Sequence, residues 1–384
     1  MPRTVCVVIT ARPSYSRIKS ALQAIQKHPG LKLQLVVAAS ALLDLYGNAV
    51  KVIEQEGFKV DRHVYMILEG ENLVTSAKST GFGLAELATV FDNLRPDMVV
   101  TIADRFETMA TAVAASYMNI PLVHIQGGEV TGSIDEKVRH AITKLADVHL
   151  VCTPLSRERV IRMGERAESV YVTGCPSIDI AKEALGQKPL DEDIFARYGG
   201  VGPKFDLSKG YLVVMQHPVT TEYKESRTHI HETLKAIAQL NMPTLWFWPN
   251  VDAGSDGTSK GIRAFRETGQ LKQVHFFKNL PPVEFLRLLC GSHCIIGNSS
   301  VAIRECSYLG VPAVNIGTRQ FGRERGKNVI DVDYNHQDIM KAVRQHISQP
   351  KPARDLLYGD GLAGKRIADC LATAPLSVEK HLTY

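Results

Sequence analysis

The stretch IPLVHIQGGEVTGSIDEKVRHAITKLA, residues 120–146, passes through three textures. An apolar run rich in β-branched residues enters it, and a loop of glycines and carboxylates (Glu129, Asp135, Glu136) fills its middle. A segment with helical spacing leaves it. A strand that is apolar at nearly every position has no solvent face, so it belongs in a parallel sheet covered on both sides.

The same unit recurs on either side. TVCVVIT, LKLQLVVAAS, DMVVTIAD, VHLVCT and SVYVTGCP read as strands. SRIKSALQAIQKH, GNAVKVIEQEG, GLAELATVFDNLRP, ETMATAVAASYMN and LSRERVIRMG read as the helices between them. Around residues 186–210 the texture changes to Gly, Pro and charge, as in a linker. A second alternating series follows, from GYLVVMQHP and HIHETLKAIAQLN through MPTLWFWPN, HCIIGN and VPAVNIG. The pattern predicts an α/β chain of two Rossmann-like, doubly wound domains facing a cleft. We expect residues 1–185 and 211–365 to form the domains, 186–210 the linker, and 366–384 a C-terminal helix and tail.

Composition narrows the class. At 384 residues, 45% hydrophobic and 22% charged, the chain has the profile of a soluble two-domain protein. Its formal charge of +5 is spread without a basic stripe, which argues against nucleic acid. No apolar run approaches the roughly 20 residues of a membrane span. The N-terminal MPRTVCVVIT reads as a first strand rather than a signal peptide. Seven cysteines without paired metal spacing read as buried thiols in a reducing cytoplasm.

Polar residues gather where strands end. Arg12 and Ser16 follow the first strand at the start of a helix, where free N–H groups favour an anion. No Walker lysine and no G-x-G-x-x-G accompany them, which disfavours an ATPase or dinucleotide enzyme. Asp104, Arg105 and Glu107 end the next buried strand, where charges must cap, pair or work. Asp104 either caps the following helix or acts chemically, and Asp135 faces the same choice before EKVRHAITKLA. Together with Glu129 they form a candidate acid–base cluster, since crowded carboxylates are driven to different pKa values. In the second half His217 ends a strand, and Asn250 lies in WPNVDAGS. Ser299 and Ser300 open the segment after IIGN and suit a diphosphate, with Glu305 beyond them placed for a ribose diol. Arg319, Arg323 and Arg325 add positive charge.

ARPSYSRI, DLYGN, DRFE, GGEVTGSIDEKVRHAITKLA, GCPSID, QHPVTTE, PNVDAGS, IGNSS, NIGTRQ and YGDG occur in this order over nearly the whole chain. In these motifs the sequence resembles the hydrolysing UDP-N-acetylglucosamine 2-epimerases, which make N-acetylmannosamine for sialic acid synthesis. The resemblance implies a GT-B-like fold and a cytoplasmic homodimer or homotetramer. It implies a reaction without metal or other cofactor. A base removes the C2 proton, UDP leaves C1, and water adds to the resulting 2-acetamidoglucal. It assigns catalysis to Asp104 and Asp135 and leaving-group stabilisation to His217. It assigns nucleotide-sugar binding to Arg12, Ser16, Arg105, Asn250, Ser299, Ser300, Glu305 and Arg319.

Two positions depart from the family pattern. Gln126 stands where a catalytic glutamate is expected, and Ala41 stands where a histidine is frequent. A glutamine exchanges no proton at neutral pH and can only orient or hydrogen-bond. We therefore expect Asp104 and Asp135, aided by Glu129, to move the protons. The departures alternatively mark another sugar, such as a 2,4-diacetamido-trideoxy hexose, a different nucleotide, or a near-inactive paralogue. A non-hydrolysing epimerase, a glycosyltransferase of the same architecture and a binding module without chemistry are the competing classes.

Overall fold

The computed structural model describes residues 1–44, 48–70, 73–102, 105–131, 134–187, 190, 194–249 and 254–383. It divides into two compact units. The first contains β1 (Arg3–Ile9), α1 (Arg12–Lys27), β2 (Leu31–Ala38), α2 (Ala49–Gln55), β3 (Arg62–Val64), α3 (Leu73–Leu94) and β4 (Met98–Ile102). It continues with α4 (Thr108–Tyr117), β5 (Leu122–Ile125), α5 (Asp135–Leu145), β6 (Val148–Val151), α6 (Pro154–Arg162), β7 (Val170–Val172) and the start of α7 (Pro176–Leu185). The second contains α8 (Ile194–Tyr198), β8 (Leu212–Met215), α9 (Ser226–Leu240), β9 (Thr244–Phe247), α10 (Ser255–Glu267), β10 (Val274–Phe277) and α11 (Pro282–Gly291). It ends with β11 (Cys294–Gly297), α12 (Glu305–Leu309), β12 (Ala313–Ile316), β13 (Val329–Val332) and α13 (His336–Ser348). The last helix, α14 (Ala363–Thr373), belongs to the first unit.

Both sheets are parallel and doubly wound. Their strand orders are β3-β2-β1-β4-β5-β6-β7 and β10-β9-β8-β11-β12-β13. Residues of β1 alternate between two cores. Val5, Val7 and Ile9 pack with α1, α2 and α14, while Cys6 and Val8 pack with α3, α4 and α5. Coverage of both faces is what makes these strands apolar throughout. Strand order reverses between β1 and β4 in one sheet and between β8 and β11 in the other. At such switch points the connections diverge and leave room for a ligand.

The unit boundaries differ from the expected ones. The first unit ends at Asp179, inside α7, and it regains residues 358–384 from the other end of the chain. Asp179 explains the return, because its carboxylate accepts from the N–H groups of Ala363 (2.9 Å) and Gly364 (2.7 Å), capping α14. Gly364 permits the approach, since a Cβ there would lie 2.6 Å from the Ser20 carbonyl carbon of α1. Gly174 and Gly359 also cross at van der Waals distance, and the Cys175 N–H donates to the Tyr358 carbonyl at 2.8 Å.

The tail beyond α14 is fastened by charge. Lys380 donates to the Glu165 carboxylate and the Ala146 carbonyl. The same carboxylate takes Lys144 (2.5 Å) and His149 (3.0 Å). Burial alone would raise the Glu165 pKa, but these hydrogen bonds outweigh it and hold the group at about 2. Burial lowers the His149 pKa, with Glu165 opposing. Both folded-state values are depressed, so both groups stabilise the fold at neutral pH. The contribution of His149 fades as pH falls below its ordinary 6.5, and that of Glu165 fades between 4.5 and about 2. Lys380→Met is expected to cost about 2 kcal/mol near neutral pH, and less at acidic pH. Urea denaturation at a series of pH values reads both effects, and a pH-independent difference would contradict the assignment.

Candidate active site

In the second unit the site is organised by Asn298, the fully buried residue after β11. Its side-chain Oδ1 accepts from the His217 N–H and its Nδ2 donates to the His217 carbonyl, both at 2.8 Å. The amide thus extends the parallel ladder one step past the ends of β8 and β11. Its own carbonyl accepts from Arg319 Nη1 (3.2 Å) and Gln320 Nε2 (2.9 Å), which follow β12. Gly297 is required beside it, because φ is +136° and a Cβ would stand 2.1 Å from the Met215 carbonyl oxygen. His217 is 5% exposed.

Ser299 and Ser300 do not open a long helix. Ser299 caps a single 3-10 turn over Ser300–Ala302, its hydroxyl accepting from the Val301 N–H at 3.5 Å. The five-residue α12 begins only at Glu305, so the helix dipole offers little here and the hydroxyls offer more. Ser300 Oγ accepts from the buried Arg304 at 3.0 Å. Glu305, expected a turn into its helix, is instead the first residue of α12. It is 8% exposed, and its Oε2 is buried without a hydrogen-bond partner among the described residues. A buried carboxylate oxygen left open is a costly arrangement unless a ligand supplies the donor. Arg325 is tied to Asp331 (2.6 Å) and to the Gln320 carbonyl (3.0 Å), so it buttresses the Arg319 loop.

In the first unit Arg12 begins α1, after a residue that makes no side-chain cap. Burial lowers the Arg12 pKa, and among the described residues no acceptor takes its guanidinium. Ser16 turns its hydroxyl back onto the Arg12 carbonyl at 3.3 Å. Arg105 faces the buried Glu107 through Nε and Nη2 at 3.2–3.3 Å, so the charges at this strand end pair. Ala41 is buried in the core, and its N–H donates to the Thr10 carbonyl. Asp104 and Asn250 lie outside the described residues.

The loop after β5 is braced from within. Gln126 has φ +70°, donates its N–H to the Leu150 carbonyl (3.0 Å), and directs Nε2 at Cys175 Sγ (3.1 Å). Cys175 Sγ in turn meets Ser177 Oγ at 3.0 Å. An amide N–H can donate to that sulfur, whereas an ionised glutamate has no proton to give. Gly128 lets the loop pass the backbone of α6, where a Cβ would sit 2.3 Å from the Ser156 carbonyl oxygen. Glu129 is 4% exposed, and its backbone carbonyl accepts from the buried Arg139 at 2.9 Å. Arg139 also pairs with Glu136 at 2.8 Å. Asp135 is the first residue of α5, partly exposed; Ile134 occupies the cap position, so Asp135 is not the cap.

Two charged groups are uncommitted among the described residues, the half-buried Arg12 cation in the first unit and the buried Glu305 Oε2 acceptor in the second, each at a position expected from the sequence to contact a nucleotide. A family model described as UDP-N-acetylglucosamine 2-epimerase matches residues 23–372.

The chain belongs to the UDP-N-acetylglucosamine 2-epimerase family.

It is 33% identical to a UDP-N,N'-diacetylbacillosamine 2-epimerase (hydrolyzing) of Legionella pneumophila over 98% of this chain and 97% of that one. It is 30% identical to a GDP/UDP-N,N'-diacetylbacillosamine 2-epimerase (hydrolyzing) of Campylobacter jejuni, over 88% and 86%. The crystal structure of UDP-GlcNAc 2-epimerase from Neisseria meningitidis bound to UDP-GlcNAc superposes with a TM-score of 0.81 at 21% identity, covering 96% and 99%. That likeness agrees with the GT-B-like class expected from the sequence. Among the described residues no helix is long and apolar enough to cross a membrane, and no cluster of three or more His, Cys, Asp or Glu is arranged to hold a metal.

Sequence reasoning did not single out Asn298, Cys175 or Ser177 as parts of the site. Asn298 was legible only as part of IGNSS, since its role depends on a partner 81 residues away. Asn298→Asp would set a carboxylate against the His217 carbonyl, and we expect it to destabilise the second unit by about 3 kcal/mol. Urea denaturation of the purified variant measures this. An unchanged midpoint would mean the clasp is dispensable.

Proposed function

We propose that this enzyme is a hydrolysing 2-epimerase acting on a UDP-linked 2-acetamido sugar. The observation that carries the reading is the pair of uncommitted charges on family positions. Arg12 is a desolvated cation suited to a phosphate, and Glu305 Oε2 is a buried acceptor suited to a ribose hydroxyl. Ser16, Arg105, Asn250, Ser299, Ser300 and Arg319 complete the proposed nucleotide-sugar contacts.

In the first step a carboxylate takes the C2 proton while the C1–O bond breaks, giving the C1=C2 glycal and UDP. Water then delivers hydroxyl to C1 and a proton returns to C2 on the opposite face, so atoms and charge balance. Asp104 and Asp135 are the proposed proton carriers, with Glu129 assisting. His217 and the arginines stabilise charge developing on the departing diphosphate. Gln126 is an orienting group in this scheme, its amide held by Cys175. No cofactor is invoked. The assembly we expect is a homodimer or homotetramer.

Two sugars fit the class. UDP-N-acetylglucosamine, giving N-acetylmannosamine, is the simpler one. The 2,4-diacetamido-trideoxy hexose is favoured by a specific observation: the relatives at 33% and 30% identity both carry N,N'-diacetylbacillosamine, a sugar of that kind, in their names. Proton NMR of both UDP-sugars in heavy water tests the reading. The expected result is free C2-epimerised sugar, deuterated at C2, with stoichiometric UDP and faster turnover of the diacetamido substrate. Epimerised UDP-sugar would indicate the non-hydrolysing reaction, and turnover of neither would sink the proposal.

Asp104→Asn and Asp135→Asn are each expected to lower kcat by about 100-fold or more, with UDP affinity by calorimetry nearly unchanged. Gln126→Glu is expected to slow the preferred substrate by about tenfold at similar UDP affinity, because the Cys175 hydrogen bond is lost. Equal rates on both sugars before and after the change would make Gln126 irrelevant to substrate choice.

A further inference from the structure

The loop between β12 and β13 carries Arg319 and, two residues on, an aromatic side chain with no part in the scheme above. Phe321 is 71% exposed, more than any other large hydrophobic side chain of the second unit among the described residues. Single exposed apolar residues are ordinary on a protein surface and by themselves mean nothing. Phe321 differs in its setting, because the loop that displays it is fastened on both sides.

Thr318 Oγ1 donates to Glu222 Oε1 at 2.5 Å, and the Phe321 N–H closes a turn on the Thr318 carbonyl at 2.8 Å. Gln320 is 2% exposed, with its side chain on the Asn298 carbonyl and its own carbonyl taken by Arg325. Arg323 is also buried, and its N–H returns to the Gln320 carbonyl at 3.3 Å. The residues around the ring are thus turned inward while the ring itself is turned out. With the backbone already fixed, covering the ring requires little further ordering.

Two observations point to what covers it. The loop leaves the carboxyl end of β12, beside the Asn298 clasp, where doubly wound sheets receive their ligands. It also touches the glycine-rich loop that follows β5. Residues 130–133 of that loop belong to the second unit, and a Cβ at Gly322 would lie 2.7 Å from Val130 Cγ1. Gly322, at φ +74°, is what permits the approach. Phe321 therefore stands between Arg319, a proposed nucleotide-sugar contact, and Val130, the residue directly after Glu129. An aromatic face beside a few polar anchors is the usual composition of a small-molecule site.

We propose that Phe321 is a specificity-determining residue, its ring packing on the apolar edge of the sugar and favouring a 2,4-diacetamido-trideoxy hexose over N-acetylglucosamine. The trideoxy sugar carries a methyl group on C5 where N-acetylglucosamine carries a hydroxymethyl. At C4 it carries an acetamido group, with its methyl, in place of a hydroxyl. A ring face gains contact area from the methyl groups and offers the hydroxyls no equivalent of the water they leave. The inference rests on the diacetamido substrate proposed above and names the residue that selects it.

Initial rates with both UDP-sugars test it on the wild type, Phe321→Ser and Phe321→Tyr, with UDP affinity by calorimetry as a check on the loop. The ring is exposed, so neither change disturbs a core. The wild type is expected to favour the diacetamido sugar in kcat/KM. Phe321→Ser is expected to lower that preference by about tenfold with UDP affinity nearly unchanged, and Phe321→Tyr, which keeps the ring, is expected to retain it. Turnover of neither sugar by the wild type would overturn the epimerase reading and this inference together. A wild type that turns over both sugars without favouring the diacetamido one would overturn the role of Phe321 and leave the epimerase standing. An unchanged preference in Phe321→Ser would do the same. So would an equal loss on both sugars accompanied by weaker UDP binding, which is the mark of a residue that only shapes its loop. Loss of the preference in Phe321→Tyr would overturn the ring contact.

Discussion

Two parallel strands stop hydrogen-bonding where their connections diverge, and the backbone groups just beyond must be satisfied by something else. In the second unit that something is the side chain of Asn298. Its amide offers one acceptor and one donor, and the His217 backbone uses both. Aspartate or glutamine would be the wrong chemistry or the wrong length. The residue before it must be glycine, since Met215 occupies the space of any Cβ. Because the Asn298 carbonyl also receives Arg319 and Gln320, the ends of β8, β11 and β12 converge on one buried residue. The positions of His217 and Arg319 are thereby consequences of backbone satisfaction, settled before any ligand arrives.

The first unit solves a similar problem with different groups. The loop after β5 must leave the sheet through Gln126 at positive φ and pass α6 through Gly128. Cys175 takes the Gln126 amide and itself meets Ser177, and the backbone of that same segment is pinned by Tyr358. GCPSID and YGDG, prominent in the sequence, are therefore bracing elements that meet each other, with Asp179 spent on capping α14. A glutamate at 126 would have to face that thiol as an acceptor. The neutral amide is matched to its surroundings.

Buried parallel strands and amphipathic helices were legible because each carries its signal in a short window. The edge strands β3 and β13 were not, because they lie at the margins of their sheets and lack a fully buried run. After the strand end at Gly297 and Asn298, the sequence reads as a helix opened by Ser299 and Ser300, yet the first turn is 3-10 and α12 holds only five residues before Gly310 takes a left-handed conformation. The return of α14 to the first unit depends on contacts nearly 200 residues apart, which no local pattern encodes. Of the site, residue types at strand ends were readable. The roles of Asn298, Cys175 and Ser177 were not, since a hydrogen bond between distant loops leaves no spacing to detect.

The arginines separate by what their charge already touches. Arg105 faces Glu107, Arg139 faces Glu136, and Arg325 faces Asp331, so each is engaged inside the fold. Arg12 is different: it is desolvated, its pKa is lowered by that burial, and no described side chain takes its guanidinium. Half-burying a cation without a counter-charge lowers stability. Folding alone supplies no return for that cost, whereas an incoming phosphate would recover it as binding energy. The same reasoning applies with opposite sign to Glu305, whose buried Oε2 awaits a donor.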